Sequence, residues 1–283
     1  MTAMTSMAGM WAAVAPHWRS YAEYADARAA DVTAVLLDRT DPRSGERVLE
    51  LACGAGGTGL AAAVRVGKSG QVVLSDLVPQ MTAIAADRAA ELGLTNTSSC
   101  DLDLQRIDQP DGRFDVVLCR EGLMFAPDPG AALTEIGRVL RPTGRVGVAV
   151  WGPRDRNPWL GVVFDVVTAE TGQPVPPPGI PGPFGLSDQH RLDRLLQEAG
   201  FAEVTVTEHP CPMVDDSFDV WWARTSSLAG PLAARLSTMT EAQQTSLRKR
   251  AREAARPYET PEGLRFPGLA LVASGRWPGS GGR

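Results

Sequence analysis

Three glycines and two carboxylates have the types and spacing to hold a nucleotide-like ligand. Gly54, Gly56 and Gly59 satisfy G-x-G-x-x-G inside VLELACGAGGTG, Val48 to Gly59. Glycine adopts backbone conformations that other residues resist and carries no Cβ, so this loop turns tightly and lets a ligand approach the main chain. Between a strand and a helix the same spelling serves a dinucleotide, whose pyrophosphate rests on the helix N-terminus, or a tight turn with no ligand. Asp76 follows Gly56 by 20 residues, where a carboxylate accepts hydrogen bonds from ribose hydroxyls. It predicts a ribose without choosing the cofactor. Glu50, four residues before Gly54, makes the choice. Negative charge ending an apolar strand repels a pyrophosphate and suits a cofactor with cationic groups.

These residues require a sheet edge to stand on. From Glu46 onward short β-rich runs alternate with helical patterns, the signal of a parallel sheet covered by helices. Strands are predicted at Arg47 to Ala52, Val72 to Leu77, Ser98 to Leu102, Phe114 to Cys119 and Arg145 to Trp151. FDVVLC and RVGVAVW are nearly continuous apolar runs, as strands covered on both faces require. Pro79 to Leu92 and Gly130 to Leu140 read as crossover helices, the first closed by Gly93 and the second running into Arg141-Pro142. After Trp151 the alternation stops. An apolar helix, Trp159 to Thr171, leads into Gln173 to Gly185, where six prolines forbid helix or central strand. Ser187 is expected to cap a helix through Ala199, Glu203 to Glu208 alternates as a sixth strand, and Asp219 to Ala255 is helical with a break at Gly230-Pro231. Leu269 to Ser274 is the final strand.

Composition removes several function classes. The 283 residues are 43% hydrophobic, enough for a substantial core, and the formal charge of −5 gives no overall field for nucleic acid. One basic run, Arg248, Lys249, Arg250, Arg252 and Arg256, is scattered around its predicted helix and reads as a solvated face. Cys53, Cys100, Cys119 and Cys211 are widely spaced without a CxxC pair, so neither a zinc site nor a redox dithiol is expected. MTAMTSMAGMW lacks a charged start and an apolar stretch, and no 18-residue apolar run follows, so a soluble cytoplasmic protein with no membrane partner is expected.

ELACGAGGTG, the acid Asp76, CDLDL, FDVVLCR and EIGRVLRPTGR follow one another in an order that resembles the class I S-adenosylmethionine-dependent methyltransferases. The resemblance is nearest to the branch of ubiquinone and menaquinone C-methylases and covers about Trp11 to Trp151. It implies an α/β fold, a Rossmann-like seven-stranded methyltransferase sheet with the last strand antiparallel and helical cap insertions. It also implies S-adenosyl-L-methionine as cofactor. By position, Gly54 and Gly56 form the methionine-side loop with Glu50 nearby, and Asp76 holds the ribose. Leu77 and Met81 flank the adenine, Asp101 and Leu102 meet its amine and edge, and Arg120 contributes backbone near the methionine. The organisation expected is an N-terminal helical lid at 1–45, a cofactor-binding core at 46–152, and a proline-rich cap insertion at 153–185. A core helix and strand at 186–209, a helical cap insertion at 210–266, and a final strand and tail at 267–283 complete it.

The partner implied is a small methyl acceptor, planar or apolar, with C-, O- and N-methylation all open. In the resembling family the N-terminal segment crosses the cofactor opening, so His17, Trp18, Tyr21 and Tyr24 of PHWRSYAEY are candidate walls. Glu121, beyond the fourth strand, is placed to reach the acceptor, and Trp221 and Trp222 offer large apolar surfaces. His17 and Glu121 are the candidate bases, ahead of His209 and His190; a base is needed only where the acceptor must lose a proton. The sequence departs from the quinone enzymes after the fourth strand, where CREGLMFAPDP lacks their Arg-Asn pair, so a quinone is not expected. Its alanine, arginine and glycine bias hints at specialised metabolism. A nicotinamide-dependent oxidoreductase and a cofactor-binding protein that transfers no methyl group are the competing readings.

Overall fold

The computed structural model describes residues 7–278. The first residues of the expected lid, 1–6, and the last of the expected tail, 279–283, lie outside the described residues. The strands are β1 (Arg47–Glu50), β2 (Gln71–Asp76), β3 (Thr97–Asp101), β4 (Phe114–Arg120), β5 (Leu140–Trp151), β6 (Ala202–Pro210), β7 (Met213–Asp215), β8 (Glu259–Thr260), β9 (Gly263–Phe266) and β10 (Leu269–Arg276). Seven of them form one sheet in the order β3-β2-β1-β4-β5-β10-β6. β10 lies antiparallel between β5 and β6, and β1 to β5 pair in parallel. β4 is buried from Phe114 to Cys119, as its run of apolar residues dictates for a central strand.

The helices are α1 (Met7–Ser20), α2 (Ala22–Arg28), α3 (Ala30–Thr40), α4 (Gly57–Val66), α5 (Pro79–Glu91), α6 (Pro129–Val139), α7 (Pro158–Thr171), α8 (Gln189–Glu198), α9 (Phe218–Leu228), α10 (Gly230–Leu236) and α11 (Glu241–Ala255). Pro79 sits in the first turn of α5 and Gly93, at φ +66°, follows its end, so both punctuation marks act where expected. α4 packs on β1 and β2 and α5 on β2 and β3, whereas α3 packs on β5 and β10. α1 touches α5 on the sheet side and α9 and α10 on the cap side.

Four local expectations are corrected. Asp188, not Ser187, caps α8, accepting from the Arg191 amide at 2.9 Å. β5 begins at Leu140 instead of Arg145, because Phe114 pairs with Leu140 and Val116 with Arg145. The intervening Pro142, Thr143 and Gly144 bulge out, with Thr143 at φ +68°. The N-terminal helix divides at Tyr21 into α1 and α2. β7, β9 and β8 form a small antiparallel sheet from the two ends of the 210–266 insertion, which was expected to be helical.

One hydrophobic core runs from the sheet into the cap, joining Val117, Val148 and Ile136 to Phe164, Trp221, Leu247 and Phe266. The basic run is largely paired: Arg248 and Arg252 meet Asp219, and Arg250 meets Glu170. Among the described residues no helix is long and apolar enough to cross a membrane.

Candidate active site

The glycine loop leaves β1 at the carboxyl edge of the parallel strands. Ala52, Gly54 and Gly56 all have positive φ, at +51°, +53° and +86°, and the Gly56 amide closes a turn onto the Cys53 carbonyl at 2.7 Å. A Cβ on Gly56 would stand 2.9 Å from that of Ala85, and one on Gly54 would face the Trp18 ring at 3.7 Å. Absence of side chains thus lets α5 close on one face of the loop and keeps space between the loop and α1. Arg88 of α5 pins the arrangement, donating to the Ala55 carbonyl and to Asp26 of α2, both at 2.5 Å.

Asp76, at the end of β2, accepts from the Gly54 amide at 2.9 Å and the Val78 amide at 3.0 Å. Burial pushes its carboxyl up, and those amides pull it back down. Glu50 is 2% exposed and lies beneath the loop, against Gly59 and Leu74. Burial raises its carboxyl to about 7, with the Arg120 charge opposing. Its side chain is not part of the wall described next. Glu50 therefore lies under the loop, not in front of the ligand as the sequence suggested.

A cavity of about 310 Å³ extends from this loop into the cap. Gly54, Asp76, Leu77, Met81 and Leu102 line one end, with Trp18 of α1 above them. Leu77 is 48% exposed and Met81 is buried, so the pair spans rim and floor. Arg120 borders the cavity and donates to Thr33 at 3.1 Å. Asp101 stays outside the wall: it accepts from Thr82 at 2.6 Å, and Asp103 and Leu104 line the cavity in its place.

The far end is built by α2, α9 and the strand ends. Glu121, held at φ +58° with its amide on the Ala149 carbonyl, accepts from Arg28 at 2.8 Å, and both side chains are largely buried. Burial alone would lower the Arg28 guanidinium, but Glu121 holds it above its ordinary value. Arg28 also lies 5.1 Å from the Trp151 ring centre. Arg224 sits 4.0 Å from the centre of the Tyr24 ring and donates to the buried Asp215 at 2.6 Å. Burial, then the Asp215 charge, raises the Tyr24 phenol.

Of the candidate acceptor-side residues, Trp18, Tyr24, Glu121 and Trp221 border the cavity. His17 does not: it is exposed on the outer face of α1. Tyr21 opens instead on a surface depression beside Asp219 and Val220, because the break after α1 rotates it away from Tyr24. Trp222 stacks on Phe218 and Trp221 takes the wall position. His190 is exposed and His209 half-buried away from the wall. The sequence reading missed Arg28 and Arg224. Spacing held a signal for both, since Tyr24 and Arg28 are four apart on α2 and Trp221 and Arg224 three apart on α9, each pair sharing a helical face.

A family model described as a methyltransferase domain matches residues 42–157. The ubiquinone/menaquinone biosynthesis C-methyltransferase of Cupriavidus necator is 36% identical over 181 residues, 57% of this chain and 70% of that protein. The chain belongs to the class I S-adenosylmethionine-dependent methyltransferases. It stands near the ubiquinone/menaquinone branch of that family, which uses S-adenosyl-L-methionine as cofactor. An uncharacterized protein of Mycobacterium tuberculosis is 38% identical over 132 residues, so the match spans just under half of that relative, 46%, and 46% of this chain. The structure of the YcgJ protein from Bacillus subtilis has a TM-score of 0.59 at 19% identity, covering 86% of this chain and 97% of that one, a likeness of fold. The methyltransferase cofactor fits the residues present. A carboxylate beside a glycine-rich loop suits a ribose, and the apolar slot of Leu77, Met81 and Leu102 suits a flat heterocycle.

Proposed function

We propose that this chain transfers the methyl group of S-adenosylmethionine to a small, planar or apolar molecule seated in the cap end of the cavity. The observation that carries this reading is the continuity of one cavity, walled by Gly54 and Asp76 at one end and by Trp151, Phe164 and Trp221 at the other. Asp76 would hold the ribose hydroxyls, Leu77, Met81 and Leu102 would flank the adenine, and Gly54 and Gly56 would face the methionine portion. Arg120 closes that end, and Asp101 acts on the adenine only through its neighbours Leu102 and Asp103. Glu50 supports the loop from below.

The bound cofactor supplies an electrophilic methyl carbon and a neutral thioether leaving group. The protein has no leaving group to protonate, so its work is to align the acceptor and exclude water. Glu121 alone of the two candidate bases borders the cavity, and it is the side chain available to take a proton from a neutral acceptor. The four free thiols suit the reducing cytoplasm.

Calorimetry with S-adenosylmethionine, S-adenosylhomocysteine and NAD tests the cofactor end. The two sulfur compounds should bind and NAD should not. Asp76→Asn should weaken S-adenosylhomocysteine about ten- to a hundredfold, the loss of one or two charge-assisted hydrogen bonds. Tight NAD binding, or unchanged affinity in a folded Asp76→Asn protein, refutes the assignment. Transfer of label from methyl-labelled cofactor to a panel of flat hydroxylated and carboxylated aromatics tests the reaction itself.

A further inference from the structure

The cap end of the cavity is apolar except where α2 and α9 approach each other, and there it holds donors in excess. Arg28 Nη1, Arg224 Nε and Trp221 Nε1 are buried and lack a hydrogen-bond partner among the described residues. All three side chains border the cavity. Among the buried atoms of the described residues, the one acceptor on that side without a partner is Asp215 Oδ2, and Asp215 lies behind Arg224 instead of in the wall. The Tyr24 phenol, raised by burial and by Asp215, stays protonated at neutral pH and adds a further O–H. Burying a donor without an acceptor costs about 1–3 kcal/mol each, and this fold sustains several within one apolar chamber.

We propose that the methyl acceptor carries an anionic oxygen, a carboxylate or an enolate, and that Arg28 and Trp221, backed by Arg224, receive it. This rests on the methyltransferase reading and names the substrate class of the same site. The two arginines meet opposite demands. Glu121 and Asp215 pair with them in a buried setting and orient them, while each retains an N–H for the ligand. The flat walls of Trp151 and Trp221 accommodate the conjugated skeleton that makes such an oxygen acidic. An acceptor that arrives as an anion has no proton to lose, so toward it Glu121 is a positioning residue acting through Arg28. Ordered water on the same donors is the competing occupant, and water confers no preference for charge.

The test is calorimetry on the full chain saturated with S-adenosylhomocysteine, using two pairs of probes. The carboxylate pair is 2-naphthoate and 2-naphthamide; the enolate pair is 2-acetylcyclohexane-1,3-dione and neutral 2-acetylcyclohexanone. At least one anion should bind about tenfold or more tighter than its neutral partner, the size of one charge-assisted hydrogen bond. The pair with the larger ratio identifies the source of the oxygen. Arg28→Met should reduce that ratio to about threefold or less with S-adenosylhomocysteine affinity kept. Because this substitution leaves Glu121 buried without its partner, Trp221→Phe provides a second arm: it removes the N–H and should weaken the anion alone, by about fivefold. Anions that bind no better than their neutral partners overturn the inference, as does a preference that survives in a folded Arg28→Met protein or, where that variant does not fold, in Trp221→Phe. Failure of the underlying reading looks different, since wild-type protein would then give no heat with S-adenosylhomocysteine.

Discussion

Glu50 and Asp76 are both buried carboxylates within reach of the glycine loop, and they do different work. Asp76 faces the cavity with two backbone amides on its oxygens; Glu50 lies under the loop with its carboxyl raised to about 7. A raised acid binds its proton more tightly in the folded state, so folding is favoured at low pH and the advantage is lost as pH climbs from the ordinary carboxylate value through 7. The difference of two to three units corresponds to roughly 3 kcal/mol. Glu50→Gln should therefore flatten the pH dependence of urea unfolding between pH 5 and pH 8 and stabilise the protein at pH 8 by about 1–3 kcal/mol. An unchanged profile would remove Glu50 as the titrating group. Asp76 was legible because its spacing from the loop is set by one strand–helix–strand unit. Arg28 and Glu121, which lie 93 residues apart, were not legible as a pair, because only the tertiary fold brings α2 to the end of β4.

At the scale of elements, the loop is the part most constrained by its neighbours. Gly56 combines φ +86° with a close approach of α5, so Gly56→Ala meets both a left-handed penalty and a collision with Ala85. It should cost about 2–4 kcal/mol in chemical denaturation, combining strain and overpacking. A loss below 1 kcal/mol would mean that α5 yields easily. β2, β4, β5 and β10 could be read from apolar runs because they are long and mostly buried; the four-residue β1 stands out by the glycine loop that follows it, and the half-exposed β6 by its alternation. β7, β8 and β9 are two to four residues long, too short for alternation to announce them. The break between α1 and α2 carries no proline or glycine signal either: Pro16 lies inside α1 and the chain turns at Tyr21. That turn decided which tyrosine faces the cavity.

For the whole molecule, the cavity draws its walls from segments far apart in sequence: α1, α2, the glycine loop, the strand ends and α9. Filling the loop end should therefore quiet the distant walls too. With S-adenosylhomocysteine bound, hydrogen exchange should slow about tenfold or more in α1, α2 and α9 and stay unchanged in α8 and β6, which lie outside the chamber. Protection confined to the loop and α5 would show that the two ends of the chamber are uncoupled. The reversed last strand was expected from the family resemblance, whereas the shape of the cap was not, since insertions obey no shared pattern.

The core that passes without a seam from Val117 and Val148 to Trp221 and Phe266 also constrains how this protein can change. A cap joined to the sheet by a polar seam can be exchanged whole between relatives. Here a transplanted cap would arrive with side chains cut for a different interior. New acceptors are reached instead by single substitutions facing the chamber, at positions such as Phe164 or Met213, each tested against a scaffold that stays folded.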